Sequence, residues 1–311
     1  MASQPFDSVV IPLDGSELSE QAVPYALAIV RDGGTVTLLQ ALPEAEPLRK
    51  PLGGVQMSAE DVERMLGTLA RADLDRAVEH WSTLARSVTF KQKLPVGDAA
   101  TVILETADEE SVDLIAMASA GRGAVGRLTL GSVTDRVIRA ADKPVLVVRE
   151  SDARVTTALP RFDRVIVPLD GSDRALLAVP VAVAIAAKLG TAVDLLSAVD
   201  MPQVVSPAVA YGPAFTPEFY GELEAEATRN TEAHLSEAAK SFSEHDIETR
   251  THVMIGSAVA AILDFASGGD LIVMTSRGQG GFKRWVLGSV AEKLIRESPA
   301  PVLLVPSHHH E

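Results

Sequence analysis

The chain contains no cysteine. That excludes disulfides and thiolate metal sites, and it fits a reducing cytoplasm. Aromatic residues make up only 4% of the 311 positions, and 28 basic residues stand against 42 acidic ones, for a formal net charge of −14. Contact with duplex phosphates needs a basic face, so nucleic acid is not an expected partner. Any anionic ligand has to be held by local groups against an unfavourable overall field. Long apolar runs are also missing. The segment Ala175 to Ala187 is interrupted by Pro180 and closed by Lys188, so it reads as a buried helix and no membrane span is expected. The start, Met1-Ala2-Ser3-Gln4-Pro5-Phe6-Asp7, lacks the basic-then-apolar pattern of a secretion signal, and a cytoplasmic location is expected.

Catalytic signatures are equally scarce. There is no G-x-x-x-x-G-K loop for P-loop hydrolysis and no G-x-S-x-G elbow for a serine hydrolase. His80, His234, His245 and His252 lack H-E-x-x-H spacing and read as surface or helix-face residues rather than zinc ligands. Gly121-Arg122-Gly123 follows a fourth strand rather than a first, which argues against a dinucleotide fingerprint. No catalytic residue and no metal-ligand set is read from the sequence.

What is present is a repetition. Val10-Ile11-Pro12-Leu13-Asp14-Gly15-Ser16 recurs as Ile166-Val167-Pro168-Leu169-Asp170-Gly171-Ser172. Later, Gly121 followed by Leu130-Gly131-Ser132-Val133 recurs as Gly278 followed by Leu287-Gly288-Ser289-Val290. The offset is 156 residues at the aspartates and 157 at the glycines. A shift held that constant means duplication of a whole domain, since solenoids and propellers repeat every ~20–50 residues. Two domains are expected, residues 1–150 and 161–307, joined by a polar linker around Glu150–Pro160.

Each half alternates short β-branched runs with helical patterns. Strands are expected near Ser8–Leu13, Thr35–Leu42, Val88–Leu94, Val112–Ser119 and Val145–Arg149, and in the second half near Arg164–Leu169, Ala192–Ala198, Glu248–Met254, Leu271–Ser276 and Val302–Val305. Several are apolar on both faces, as in a parallel sheet covered by helices on both sides. The fold class is therefore α/β, with two tandem doubly wound domains of five-stranded parallel sheets. The segment Met201–Phe219 reads equally as a lid over the second crevice or as packing against the other half. Lys283, Arg284 and Trp285 read as steering groups or as a solvated loop.

Two loops per half follow the carboxyl end of a strand: Asp14-Gly15-Ser16 and Gly121–Ser132, with Asp170-Gly171-Ser172 and Gly278–Ser289 in the second half. If strands one and four are neighbours, both loops border the crevice where open parallel sheets bind ligands. Gly131-Ser132 and Gly288-Ser289 each open a helix, whose free N–H groups and positive dipole end suit a phosphate. The carboxylates of Asp14 and Asp170 suit ribose hydroxyls or an adenine amino group. A blander reading stands beside this one. Ser132-Val133-Thr134-Asp135 and Ser289-Val290-Ala291-Glu292 have the form of capping boxes, and the aspartates the form of turn-formers.

On these motifs the chain resembles the universal stress protein family in its tandem two-domain form, across nearly all of both halves. Nucleotide-binding members of that family carry Gly, two residues, Gly, nine residues, Gly, then Ser or Thr. Here Gly121 and Gly131-Ser132 match, as do Gly278 and Gly288-Ser289, while Ala118 and Thr275 replace the leading glycine. The resemblance implies an adenine nucleotide alpha hydrolase-like fold, with the two domains paired about a pseudo-twofold axis through Val145–Val148 and Val302–Val305, and a possible homodimer. It implies that Pro12, Leu13, Asp14 and Ala41 flank adenine and ribose. Met117, Ala118, Ala120, Gly121, Gly131, Ser132, Val133 and Thr134 would wrap ribose and phosphates. The matching set is Pro168, Leu169, Asp170 and Ala198, then Met274, Thr275, Arg277, Gly278, Gly288, Ser289, Val290 and Ala291. Thr275 would crowd the ligand or bond to it, so nucleotide binding is expected in the first half before the second, and Arg277 would add a charge-assisted phosphate contact, for which the first half has Ala120, offset by Arg122 or Arg127. The implied function is a regulator that binds ATP or a related adenine nucleotide, with or without Mg²⁺. The alternatives are a weak Mg²⁺-dependent ATPase and a ligand-free dimerisation or structural module.

Overall fold

The computed structural model describes residues 6–44, 58–119, 130–149, 158–200, 217–278 and 287–307. The chain divides between Pro160 and Arg161 into two compact units. Among the described residues no helix is long and apolar enough to cross a membrane.

The first unit runs β1 (Phe6–Pro12), α1 (Glu17–Glu20), α2 (Ala22–Ile29), β2 (Val30–Leu39), α3 (Ala59–Leu84), β3 (Thr89–Lys93), α4 (Ala99–Glu109), β4 (Leu114–Ala118), α5 (Ser132–Ala140) and β5 (Val145–Val148). Its strands lie in the order β3-β2-β1-β4-β5, and each pairing is parallel. Burial follows from sequence. The all-apolar strands β4 and β5 are buried at every residue, whereas the polar strand β3, Thr-Phe-Lys-Gln-Lys, forms an edge with one exposed and one shielded face. Helix α3 starts at a capping box between Ser58 and Asp61 and buries Val62, Ala70, Leu74, Ala77 and Trp81, the spacing of a single helical face.

The second unit repeats the plan: β6 (Arg164–Pro168), a 3₁₀ turn (Ala175–Leu177), α6 (Ala178–Leu189), β7 (Ala192–Val199), α7 (Pro217–Ser243), β8 (Thr249–Ile255), α8 (Ala258–Phe265), β9 (Asp270–Thr275), α9 (Ser289–Glu297) and β10 (Val302–Val305). Its order is β8-β7-β6-β9-β10, again parallel throughout. The apolar run from Ala175 is helical and mostly buried, with Leu176 and Pro180 exposed, and Gly190 ends α6 in the left-handed conformation (φ 63°).

Two local features bear on the sheets. The first helix stops at Ile29, and Val30 already belongs to β2, opposite Phe6. Gly33 and Gly34 form an irregularity inside the strand, where the register jumps from Phe6–Val30 to Ser8–Thr35. His252 lies on β8, within the expected strand, and its Nε2 is 2.9 Å from a carboxylate oxygen of the fully buried Asp194. Arg164 crosses from the first position of β6 to the same network. Its guanidinium donates to Asp194 (2.9 Å), to both oxygens of buried Asp270 (3.1 and 3.2 Å) and to the Phe265 carbonyl (2.8 Å). The Phe265 ring packs under the guanidinium at 4.3 Å. The linker from 150 to 157 and the segment 201–216 lie outside the described residues.

Candidate functional site

In each unit the strand order reverses between the first and fourth strands. Val9 and Val10 pair with Leu114 and Ile115, and Arg164 to Ile166 pair with Asp270 to Ile272. The loops leaving β1 and β4, and those leaving β6 and β9, are thus brought side by side at the carboxyl end of their sheet, where such folds bind ligands.

The loop after β1 is built by its own side chains. The Leu13 N–H extends the ladder by donating to the Leu39 carbonyl (2.7 Å). Gly15 then turns with φ 75°, a value that favours glycine. Asp14 Oδ1 accepts from the Ser16 N–H (2.9 Å) and hydroxyl, while Ser16 Oγ caps α1 by accepting from the Ser19 N–H (3.2 Å). The second unit copies this turn: Gly171 has φ 79°, and Asp170 Oδ1 accepts from the Ser172 N–H (3.0 Å) and hydroxyl (2.6 Å). Both aspartates are therefore turn-formers, each using one carboxylate oxygen to shape the loop.

The fourth strands lead into a helix start held from behind. The Gly131 N–H donates to the Ser119 carbonyl (2.8 Å), and the Gly288 N–H to the Ser276 carbonyl (2.9 Å). Here the capping-box reading is corrected. The cap residues are Gly131 and Gly288, with no side-chain cap bond, and Ser132 and Ser289 are the first helical residues. Both glycines are extended (φ −63° and −65°, ψ 145°), and their carbonyls accept from Asp135 and Glu292. First-turn N–H groups have no intrahelical acceptor, so each helix start offers backbone donors and a positive dipole end beside the exposed Ser132 or Ser289.

The other expected residues separate by burial. Pro12, Ala41, Pro168, Ala198, Val133, Val290, Arg277 and Gly278 are half-buried near the carboxyl ends, and Asp170 is exposed. Leu13, Leu169, Met117, Ala118, Met274 and Ala291 are buried, so their side chains serve the core and only backbone or an edge can meet a ligand. Thr134 is buried too, and its hydroxyl donates to the Ala118 carbonyl (3.0 Å). In the second unit the hydroxyl is on the other side: Ala291 replaces Thr134, and buried Thr275 donates to the Arg277 carbonyl (2.8 Å). Thr275 thus fastens its own loop, and its hydroxyl is not presented to a ligand. Gly121 and Ala120, with Lys283 to Trp285, lie outside the described residues.

Sequence reasoning missed the charge arrangement of the second unit. Burial, and then the neighbouring cation of Arg174, hold the Arg277 guanidinium below the usual arginine range. Arg174 stands four positions after Asp170, on the loop that follows β6. The signal was available, since Leu18 stands at the equivalent position of the first half.

The model of the universal stress protein family matches residues 5–149 and again 161–306. A universal stress protein of Mycobacterium tuberculosis is 26% identical over 221 residues, spanning 70% of this chain and 70% of that protein. Another, of Methanocaldococcus jannaschii, is 33% identical over 147 residues, spanning 47% of this chain and 83% of that protein. Among solved structures, a universal stress protein from Archaeoglobus fulgidus superposes with a TM-score of 0.66 at 22% identity, covering 97% of this chain and 99% of that one, a likeness of fold.

Proposed function

The chain belongs to the universal stress protein family, and on that premise we propose that it binds ATP or a related adenine nucleotide in each unit. Binding regulates association with partners in the cytoplasm, with slow turnover or none. The observation that carries this reading is the duplicated pair of glycine-capped helix starts, Gly131-Ser132 and Gly288-Ser289, held against the ends of β4 and β9. A helix cap that uses glycine where serine, aspartate or asparagine would stabilise it better leaves its N–H groups for a ligand. In this reading Pro12, Leu13 and Ala41 shelve the base, the Asp14 carboxylate meets ribose, and the first turn of α5 takes the phosphates. Mg²⁺, where bound, would offset phosphate charge in a protein that is acidic overall.

The test is Gly131→Asp combined with Gly288→Asp. The backbone angles of both glycines suit any residue, and aspartate is a favoured cap. Each helix keeps a competent cap while a carboxylate occupies the phosphate position; at Gly288 the new β-carbon would stand 3.2 Å from the Ser276 carbonyl oxygen, so a melting temperature within a few degrees of the unaltered chain is the control for folding. Loss of ATP binding with unchanged circular dichroism and a cooperative melt supports the reading; unchanged affinity in the folded double variant refutes it.

A further inference from the structure

In the first unit a chain of contacts runs along the carboxyl end of the sheet from the loop after β2 to helix α5. Past the end of β2, the Gln40 N–H donates to the Lys93 carbonyl (3.0 Å) and the Leu42 N–H to the Pro95 carbonyl (2.8 Å). The Gly97 N–H returns to the Leu42 carbonyl (2.8 Å). The segment that holds Ala41 is thereby locked to the loop after β3. Asp98 follows as the cap of α4, its Oδ1 accepting from the Thr101 N–H (3.1 Å) and hydroxyl (2.9 Å). The same carboxylate takes both arms of a guanidinium from α5: Arg136 Nη1 donates to Oδ2 (2.8 Å) and Nη2 to Oδ1 (2.7 Å). Arg136 stands four residues after Ser132, so the two share one face of α5, a turn apart. One side-chain pair therefore joins the loops after β2 and β3 to the helix whose start is the proposed phosphate site.

Both partners are about half exposed, at 54% and 53%, which makes the pair a weak contributor to folding. Its geometry is the stronger feature. A guanidinium and a carboxylate meeting fork to fork fix distance and orientation as well as charge. Arg136, and then Thr101, hold the Asp98 carboxyl well below the usual carboxylate range, so the fork stays ionised at neutral pH. Capping of α4 needs Asp98 alone; the reach of Arg136 from α5 adds nothing to the cap.

The second unit keeps the backbone link and lacks the fork. The Gly256 N–H donates to the Val199 carbonyl (2.9 Å), as Gly97 does to Leu42. The next residue is Ser257, which makes no side-chain cap bond, and Lys293 stands where the first unit has Arg136. A serine offers a lysine no charge, and an ammonium is a point charge without a planar fork.

We propose that Asp98 and Arg136 form a positioning clasp for the first nucleotide site, holding the loops after β2 and β3 at a fixed span from the start of α5. The proposal rests on the nucleotide-binding reading above. Neither residue is assigned a contact with the ligand. The clasp acts through Ala41 and Leu42 on one side and the first turn of α5 on the other. A crevice already fixed before the ligand arrives loses less freedom on binding, and affinity rises accordingly. The second site, without the clasp, is the more loosely spanned of the two.

The full-length chain tests this with one site silenced at a time and ATP titrated by calorimetry. In Gly288→Asp, which leaves the first site, Asp98→Asn retains a capping side chain while breaking the fork. Arg136→Gln breaks it from the other side. Each is expected to weaken ATP binding about two- to fivefold, the range of an exposed ion pair, with a melting temperature within a few degrees of the parent. The two together are expected to weaken it no further than one alone, because a single contact is lost once. A purely structural role would lower the melting temperature and leave affinity in place. In Gly131→Asp, which leaves the second site, Asp98→Asn is expected to change nothing. Adding Ser257→Asp with Lys293→Arg there is expected to tighten ATP binding by about the same factor, a gain that a damaged fold cannot mimic. Additive losses from the two single changes, full affinity without the fork, or unchanged affinity in the grafted second site overturns the clasp and leaves nucleotide binding standing. No binding of any adenine nucleotide by the unaltered chain overturns both.

Discussion

The Asp170 carboxylate lies against the α-carbon of Gly278, in space that a β-carbon on residue 278 would fill. This contact ties the turn after the first strand of the second unit to the loop after the fourth. It gives Gly278 a steric reason to be glycine that is independent of any ligand. The same glycine position marks the family pattern, so a residue matched by motif here has a structural duty within the unliganded fold.

Gly278→Ala forces the Asp170 turn and the β9 loop apart. The expected cost is about 1–3 kcal/mol, as for inserting a methyl into packed space. Urea denaturation measures it, and titration in the Gly131→Asp background is expected to show weaker ATP binding at the second site.

Thr134→Val keeps the volume and branching of the side chain but removes the hydroxyl that donates to the Ala118 carbonyl (3.0 Å). Leaving a buried acceptor without that donor costs about 1–3 kcal/mol. The variant is expected to melt lower and to bind nucleotide more weakly, because α5 loses a tether to the end of β4.

Arg164→Ala leaves Asp194 and Asp270 buried without their cation. Removing one partner from a buried network typically costs ~3–5 kcal/mol. The loss is expected in chemical denaturation of the second unit. Replacing Asp270 with Asn in the same background is expected to recover part of it, because one buried charge goes with the cation.

Burial holds the Glu20 carboxyl above its ordinary value of 4.5, against the attraction of Arg76 and His80. A carboxyl raised in the folded state adds stability that is fully present below 4.5 and is lost as pH rises through the folded value. Glu20→Gln is expected to remove that decline. Its stability relative to the unaltered chain rises between about pH 4 and about pH 7 in urea unfolding; a parallel pair of curves contradicts the assignment.

The duplicated motifs reveal two similar units, and strands apolar on both faces reveal parallel sheets. Pairing of β1 with β4, and of β6 with β9, is not written in any single segment, yet the loops after those strands were legible as neighbours because the doubly wound plan requires it. Cap positions were less legible. Ser132 and Asp135 have capping-box spacing, and only the extended backbone of Gly131, whose carbonyl accepts the Asp135 N–H, moves the helix start by one residue. The Arg164 network was invisible because its members are far apart in sequence, 106 residues between Arg164 and Asp270, and Asp194 interrupts an otherwise apolar strand.

The central claim is that the chain holds an adenine nucleotide at its glycine-capped helix starts. Purifying the unaltered protein and the Gly131→Asp, Gly288→Asp variant without added ligand, then identifying small molecules released on denaturation by mass spectrometry, tests it most directly. The account predicts ATP or ADP released from the unaltered chain and none from the variant. Absence of nucleotide from the unaltered chain, together with no heat of binding on titration with Mg²⁺-ATP, would contradict it.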